Sequence, residues 1–233
     1  LVRIVNGLTA KTEIGAPMAC ALLLGQPDHY TDREFKVLFW TSYARIVADV
    51  WKENSSSTEH MDESDSDRVI VNPAVGGFVP HKRANDYIYR PLELSDWCLI
   101  DFLSFTDVAR LKPTDVHKST RGGHTRHKSM LRFLPDHPNY STHGIRLLPA
   151  NKEYVINFIG PVLPRRDRGD REIYCRTMLT LFAPWRTGLE LRAADQSWNQ
   201  SFGSFQFLPH YVSMMNNMNV LYECRDASHD FAA

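Results

Sequence analysis

The sequence predicts an α+β chain, helical at both ends with short antiparallel strands between, forming one mixed domain. Apolar residues recur at spacings of three and four near both ends, while short β-branched and aromatic runs bounded by Pro, Gly and Asn fill the middle. With 43% hydrophobic, 11% aromatic and 23% charged residues, the composition is that of an ordinary globular protein. A chain of this length buries roughly 70 to 75% of its unfolded surface, enough for one sizeable domain or two small ones.

Taken in order, residues 12 to 25 read as a short apolar helix, with Pro17 in its first turn and Gly25 ending it. After a turn over 26 to 31, Phe35, Phe39, Tyr43, Ile46, Val47 and Val50 predict a longer amphipathic helix ending near Trp51. Residues 1–52 thus form an N-terminal helical segment. Residues 53–67 hold six acidic side chains and five serines with no Lys or Arg, and so read as an exposed linker. The mixed region is 68–233. Within it Arg68–Val71, Gly76–Val79 and Tyr87–Tyr89 suggest short strands, and Ser95 or Asp96 caps a helix running through Leu103. The stretch from Arg110 to Arg132 reads as a loop around Gly122 and Gly123. Met130–Leu134 and Tyr154–Ile159 are further strands. Asp170 caps a helix whose buried side carries Tyr174, Cys175, Met178, Leu179, Leu181 and Phe182, and Pro184 stops it. Two more helices come after it, one around Trp198–Phe207 and one after Pro209.

Lys plus Arg and Asp plus Glu each number 27, so global charge selects no partner and any nucleic-acid surface must arise from local clustering. Such clustering occurs twice. Between Arg110 and Arg132 seven Lys or Arg residues face the single acid Asp115, and Arg165, Arg166, Arg168 and Arg171 form a second group. The four cysteines, Cys20, Cys98, Cys175 and Cys224, stand far apart among apolar neighbours, as expected of reduced, buried thiols in an intracellular protein. No apolar run reaches the roughly 20 residues that a membrane span requires, and no signal-peptide pattern opens the chain. Leu1 in place of Met suggests a segment of a longer polypeptide.

No G-x-x-x-x-G-K-[ST] element is present to cradle nucleotide phosphates, and no His-x-His pair to hold a metal for strand nicking. Neither a catalytic residue nor a metal site is predicted. His117, His124, His127 and His137 include an i, i+3 spacing known among zinc ligands, but the surrounding Lys and Arg oppose a dication, so a solvated basic loop is expected. Cys175, which His143 or His210 would have to activate, lies on a face expected to be buried, where desolvation deactivates a thiol. Phosphate contacts are expected instead from Lys118, Arg121, Arg126, Lys128, Arg132, Arg165, Arg166, Arg168, Arg171 and Arg186, with Tyr87, Tyr89 and Trp185 as base-stacking candidates where exposed.

Three blocks carry a family resemblance. They are Leu8–Ile14 with Leu22–Thr31; Tyr87-Ile88-Tyr89-Arg90-Pro91; and Gly160-Pro161, Pro164–Asp167, Tyr174–Arg186, Ser197-Trp198 and Leu221–Cys224. Together they resemble the region of Helitron transposon proteins, in the form common in fungal genomes, between the rolling-circle replication initiator and the helicase of the petite-integration-frequency family. The resemblance implies a nuclear parent that nicks DNA with paired tyrosines upstream and unwinds it 5'-to-3' downstream, using ATP and magnesium. No catalytic position of either module matches here, so no cofactor is expected in this chain itself. The implied role is a non-catalytic connecting and DNA-positioning region, with single-stranded DNA and the flanking initiator and helicase domains as partners and no membrane. An independent thiol or metal hydrolase and a protein-interaction scaffold are the alternatives.

Overall fold

The computed structural model describes residues 23–24, 33–52, 70–74, 77–81, 83–111, 130–149 and 151–232. The chain divides into two compact units, Leu1–Glu34 and Phe35–Ala233. The predicted helix over 12 to 25 and the acidic segment 53–67 lie outside the described residues, apart from Leu23 and Leu24. Nearly all of the described elements belong to the second unit.

These elements are β1 (Glu34–Phe39), α1 (Trp40–Lys52), β2 (Ile70–Ala74), β3 (Gly77–His81), α2 (Arg83–Ile88), a 3-10 turn (Leu92–Leu94), α3 (Leu99–Phe105), β4 (Thr106–Arg110), β5 (Leu131–Arg132), β6 (His143–Leu147), β7 (Tyr154–Ile159), α4 (Arg171–Phe182), a second 3-10 turn (Gly188–Leu191), α5 (Trp198–Ser204) and α6 (Pro209–Ala232). The class is mixed α+β, as the sequence predicts. The strands form three small sheets: β1 with β7, the antiparallel hairpin of β2 and β3, and an antiparallel sheet in the order β4, β6, β5. In the last, Val108 and Leu131 pair with the fully buried Ile145 from opposite sides.

Several boundaries differ from expectation. Phe35 and Phe39, four apart, suggested the start of a helix, yet Phe35, Val37 and Phe39 also alternate, and pairing with β7 makes 34–39 a strand. Tyr87 and Ile88 end helix α2 rather than forming a strand, because Tyr87 turns its whole ring into the core. Cys98, not Ser95 or Asp96, caps α3, its Sγ accepting the Asp101 N–H at 3.5 Å. Asp170 does cap α4, Oδ1 accepting from the Glu172 and Ile173 amides at 2.7 and 3.4 Å.

Helix α4 is the centre of the core. Every residue from Tyr174 to Phe182 is buried, so the helix is enclosed all round rather than on one apolar side. Thr177 and Thr180 remain satisfied there by donating to the carbonyls of Ile173 and Arg176, each at 2.8 Å. Around α4 pack α1, α3, α5 and the second 3-10 turn. Glu172, in its first turn, accepts from the Trp198 and Asn199 amides at 2.7 and 3.1 Å, and a Ser197–Gln200 capping box completes the start of α5. Although the acidic segment comes after α1 in sequence, α1 packs with the elements beyond it. Trp51 Nε1 donates to the Gly188 carbonyl at 2.9 Å, and a Cβ on Gly188 would stand 2.9 Å from the Val47 Cα.

Across this core runs a reciprocal clamp between Tyr87–Pro91 and Trp185–Arg186. Arg90, 1% exposed, gives its donors to the carbonyls of Leu94, Tyr87, Trp185 and Ser95 at 2.7 to 3.0 Å, with its guanidinium 4.2 Å from the centre of the Tyr87 ring. Arg186 answers by donating to the carbonyls of Ile88, Arg90 and Pro91 and to Ser95 Oγ at 2.8 to 3.3 Å. The Trp185 amide donates to Tyr87 Oη at 3.3 Å, the two rings meet edge to face, and Trp185 Nε1 covers the Thr180 carbonyl at 2.9 Å near the end of α4.

Arg90→Met removes a donor from four carbonyls, of which those of Tyr87 and Leu94 keep a backbone amide, and urea denaturation should show a stability loss of about 2 to 4 kcal/mol. Leu92→Ser, at a side chain 70% exposed, should stay within about 0.5 kcal/mol of the parent. Gly188→Ala should cost about 1 to 3 kcal/mol, because the obstacle its Cβ meets is backbone.

Candidate nucleic-acid interface

The structure separates the predicted phosphate and stacking residues into distinct groups. Lys118, Arg121, Arg126 and Lys128 lie outside the described residues. Arg186, Tyr87 and Trp185 belong to the clamp. Tyr87 and Trp185 are 0% and 1% exposed and offer no ring face to a base, which corrects their assignment as stacking residues. Arg186 is only partly exposed and spends both terminal nitrogens on the chain turn at 88–95, so it is a fold residue rather than a phosphate contact. Tyr89 is half-buried, edge-on to His137, and its carbonyl accepts the Leu134 amide at 2.9 Å.

The arginines of 165–171 sit on the surface, but carboxylates are interleaved with them. Arg165 holds Asp167 through two nitrogens at 3.0 and 2.7 Å and reaches Asp226 of α6 at 2.8 Å. Hydrogen bonds to those carboxylates fix the Arg165 guanidinium in its charged form, and the bond from Arg165 lowers the Asp167 carboxyl below its ordinary range. Arg168 adds a contact to Asp226 at 3.4 Å. Arg166 donates to Asn216, and Arg171 donates to Asn199 while lying over the Tyr174 ring. Asp167 and Asp226 thus pair with Arg165 and Arg168, whereas the nearby Asp170 and Glu172 accept from backbone amides and Arg166 and Arg171 rest on asparagines. The mechanical effect of the cluster is to tie the chain before α4 to α6, where Tyr222 Oη also donates to the Leu163 carbonyl at 3.2 Å.

A second cationic surface, of which the sequence signals only Arg132, lies on the β4–β6–β5 sheet. Asp107, Ala109, Gly144, Arg146 and Arg132 share one side of it, Arg132 standing level with Gly144 and hence diagonal to Arg146. Arg146 is half-exposed, with Nη2 3.1 Å from Asp107 Oδ2. Tyr154 of β7 donates to the same oxygen at 3.3 Å, and its ring lies 5.0 Å from Lys36 Nζ and 5.8 Å from Lys152 Nζ. Lys36 donates to the Thr106 carbonyl and stands 4.0 Å from Asp107. Burial lowers the Lys36 ammonium pKa, and Asp107 opposes the shift. A strand over 143–147 was legible in the alternation of Gly144, Ile145, Arg146 and Leu147. The adjacent turn-forming Pro and Asn residues obscured it.

His137, the one described member of the histidine group, is a core residue. Its ring stacks 3.8 Å from that of Phe133, Nδ1 accepts the Asn139 amide at 3.0 Å, and Nε2 meets Asp86 at 3.1 Å. Both nitrogens are thus committed to protein partners. Among the described residues no group of three or more His, Cys, Asp and Glu is placed to hold a metal. Cys98 and Cys175 are buried, whereas Cys224 is exposed on α6, against the expectation of burial. Burial pushes the Cys98 thiol up to about 11 and raises Cys175 as well. Cys98 donates to Tyr211 Oη at 3.4 Å, and Tyr211 in turn donates to Asp101, joining the first turn of α6 to α3. No helix among the described residues is long and apolar enough to cross a membrane.

Comparison of the chain with protein-family models, curated proteins and solved structures finds no match.

In a Cys20→Ser background at pH 8, a thiol reagent should modify Cys224 within minutes. Cys98 and Cys175 should label only after denaturation, at least about a hundredfold more slowly while folded. Rapid labelling of Cys175 in the native protein would reverse its assignment to the core.

Proposed function

We propose that this chain is a non-catalytic connecting and DNA-positioning region of a Helitron-like, ATP-dependent transposon helicase, working in the nucleus beside single-stranded DNA. On this reading its other partners are the flanking initiator and helicase domains. ATP and magnesium belong to the parent's helicase, not to this region. The observation that carries the proposal is the clamp. The second and third sequence blocks, read as the family signature, meet through Arg90, Trp185 and Arg186, so their distinctive residues serve the fold rather than a reaction.

A connecting region acts by holding geometry, and the enclosed α4 with its ion-paired tie to α6 suits that task. The contact with DNA is electrostatic. It rests on cations outside the 165–171 cluster, above all those between Arg110 and Arg132. A second reading, a protein-interaction scaffold, is favoured by one observation. Phe35 and Val37 of β1, Val155 and Ile159 of β7, and Val162 are each more than a third exposed.

Fluorescence anisotropy with a labelled oligo-dT tests the DNA reading. If about four phosphates are neutralised, affinity should fall roughly fifty-fold between about 50 and 200 mM monovalent salt. Binding indifferent to salt, or nucleotide hydrolysis that co-purifies with the chain through every control, would overturn the proposal.

A further inference from the structure

We infer that the side of the β4–β6–β5 sheet bearing Arg132 and Arg146, extended by Lys36, Tyr154 and Lys152, is the surface that receives single-stranded DNA. The inference rests on the DNA reading above and names its surface, because in the 165–171 segment Arg165 and Arg168 are ion-paired with Asp167 and Asp226, and Arg166 and Arg171 are held on Asn216 and Asn199.

Strand register brings the two arginines together. β6 lies between β4 and β5, and Arg146 opposite Asp107 and Arg132 opposite Gly144 fall on the same side. Opposed residues in an antiparallel pair are about 5 Å apart and diagonal ones about 7 to 8 Å. That diagonal is close to the spacing of successive phosphates along one strand, so Arg132 and Arg146 can engage neighbouring phosphates. Both side chains are exposed. Long cations stand beside an aromatic ring, the combination that tracks a backbone while offering a base a stacking surface. Tyr154 is that ring, held by its hydroxyl on Asp107 and accompanied by Lys36 and Lys152.

Asp107 is the acid at the centre of the patch. It orients Arg146 and Tyr154 while Lys36 stands 4.0 Å away. Because an exposed ion pair is worth little, an incoming phosphate can take Arg146 from it at small cost. Gly144, which stands opposite Arg132, is closely covered by the Leu131 backbone, Met130 and Leu111. A Cβ on Gly144 would lie 2.7 Å from the Leu131 carbonyl oxygen and 2.9 Å from the Met130 side chain. A residue larger than Gly would push β5, and Arg132 with it, away from Arg146.

The test compares two matched neutralisations in the full chain, with a labelled oligo-dT of about 20 nucleotides in moderate salt. Arg132→Gln with Arg146→Gln should weaken binding about tenfold and make the salt slope shallower by about 1.4, two phosphate contacts' worth. Arg166→Gln with Arg171→Gln should stay within about twofold. Asp107→Asn should tighten binding at least about twofold, a gain that loss of folding cannot produce. Equal losses from the two pairs, or the reverse order, would overturn the surface while leaving the DNA reading intact, as would unchanged affinity in Asp107→Asn. Absence of salt-dependent binding by the unsubstituted chain would remove the reading and the surface together. Tighter binding to oligo-U or to duplex DNA of equal length would overturn the assignment to single-stranded DNA.

Discussion

A guanidinium taken out of water must find its compensation in the protein, and the way Arg90 does so sets the arrangement of much of the fold. Its donors reach carbonyls at Tyr87, Leu94 and Ser95 nearby and at Trp185 some ninety-five residues on. The charge therefore shapes the local turn and also pulls the exit of α4 against it. Burial lowers its pKa, with Tyr87 opposing the shift. Arg186 covers the outer side of the same turn, so the chain between α2 and the first 3-10 turn is gripped from both sides. Carbonyls rather than carboxylates suit this position. They hold the cation without a second buried charge whose desolvation would have to be offset.

The clamp also accounts for the burial of α4. A helix whose C-terminal end is held by Trp185 and whose N-terminal end shares Glu172 with α5 has both ends fixed, and packing then closes round it from every side. The tryptophans complete the enclosure through polar contacts at distance: Trp40 Nε1 donates to the Pro161 carbonyl, and Trp51 Nε1 to Gly188. Arg192 lies against Trp51 and Trp198, 4.0 and 5.0 Å from their ring centres. Arginine and tryptophan, both rich in functional connotation, act here chiefly as connectors between elements.

That use of arginine reorganises the electrostatic picture. Counting cations along the chain singled out 165–171 beside the Arg110–Arg132 stretch, yet a carboxylate contributed by α6 makes Arg165 and Arg168 part of a tie between elements. Cations scattered across Lys36, Arg132, Arg146 and Lys152 converge instead on one sheet face and its neighbouring strand.

Legibility divided along physical lines. The sequence by itself determined the mixed class, the Asp170 cap and α4, strand β7 to the residue, and the helices after Ser197 and Pro209, because capping chemistry and periodicity are local properties. Tertiary structure alone decided that Phe35–Phe39 is a strand, that Tyr87 and Trp185 are core rather than stacking surfaces, and that β4 and β6 exist as partners. It also decided which arginines of 165–171 pair with carboxylates. Those outcomes depend on groups tens of residues away, such as Asp226 for Arg165 and Trp185 for Arg90, and the energy of a distant pairing leaves no periodic trace in the segments that make it.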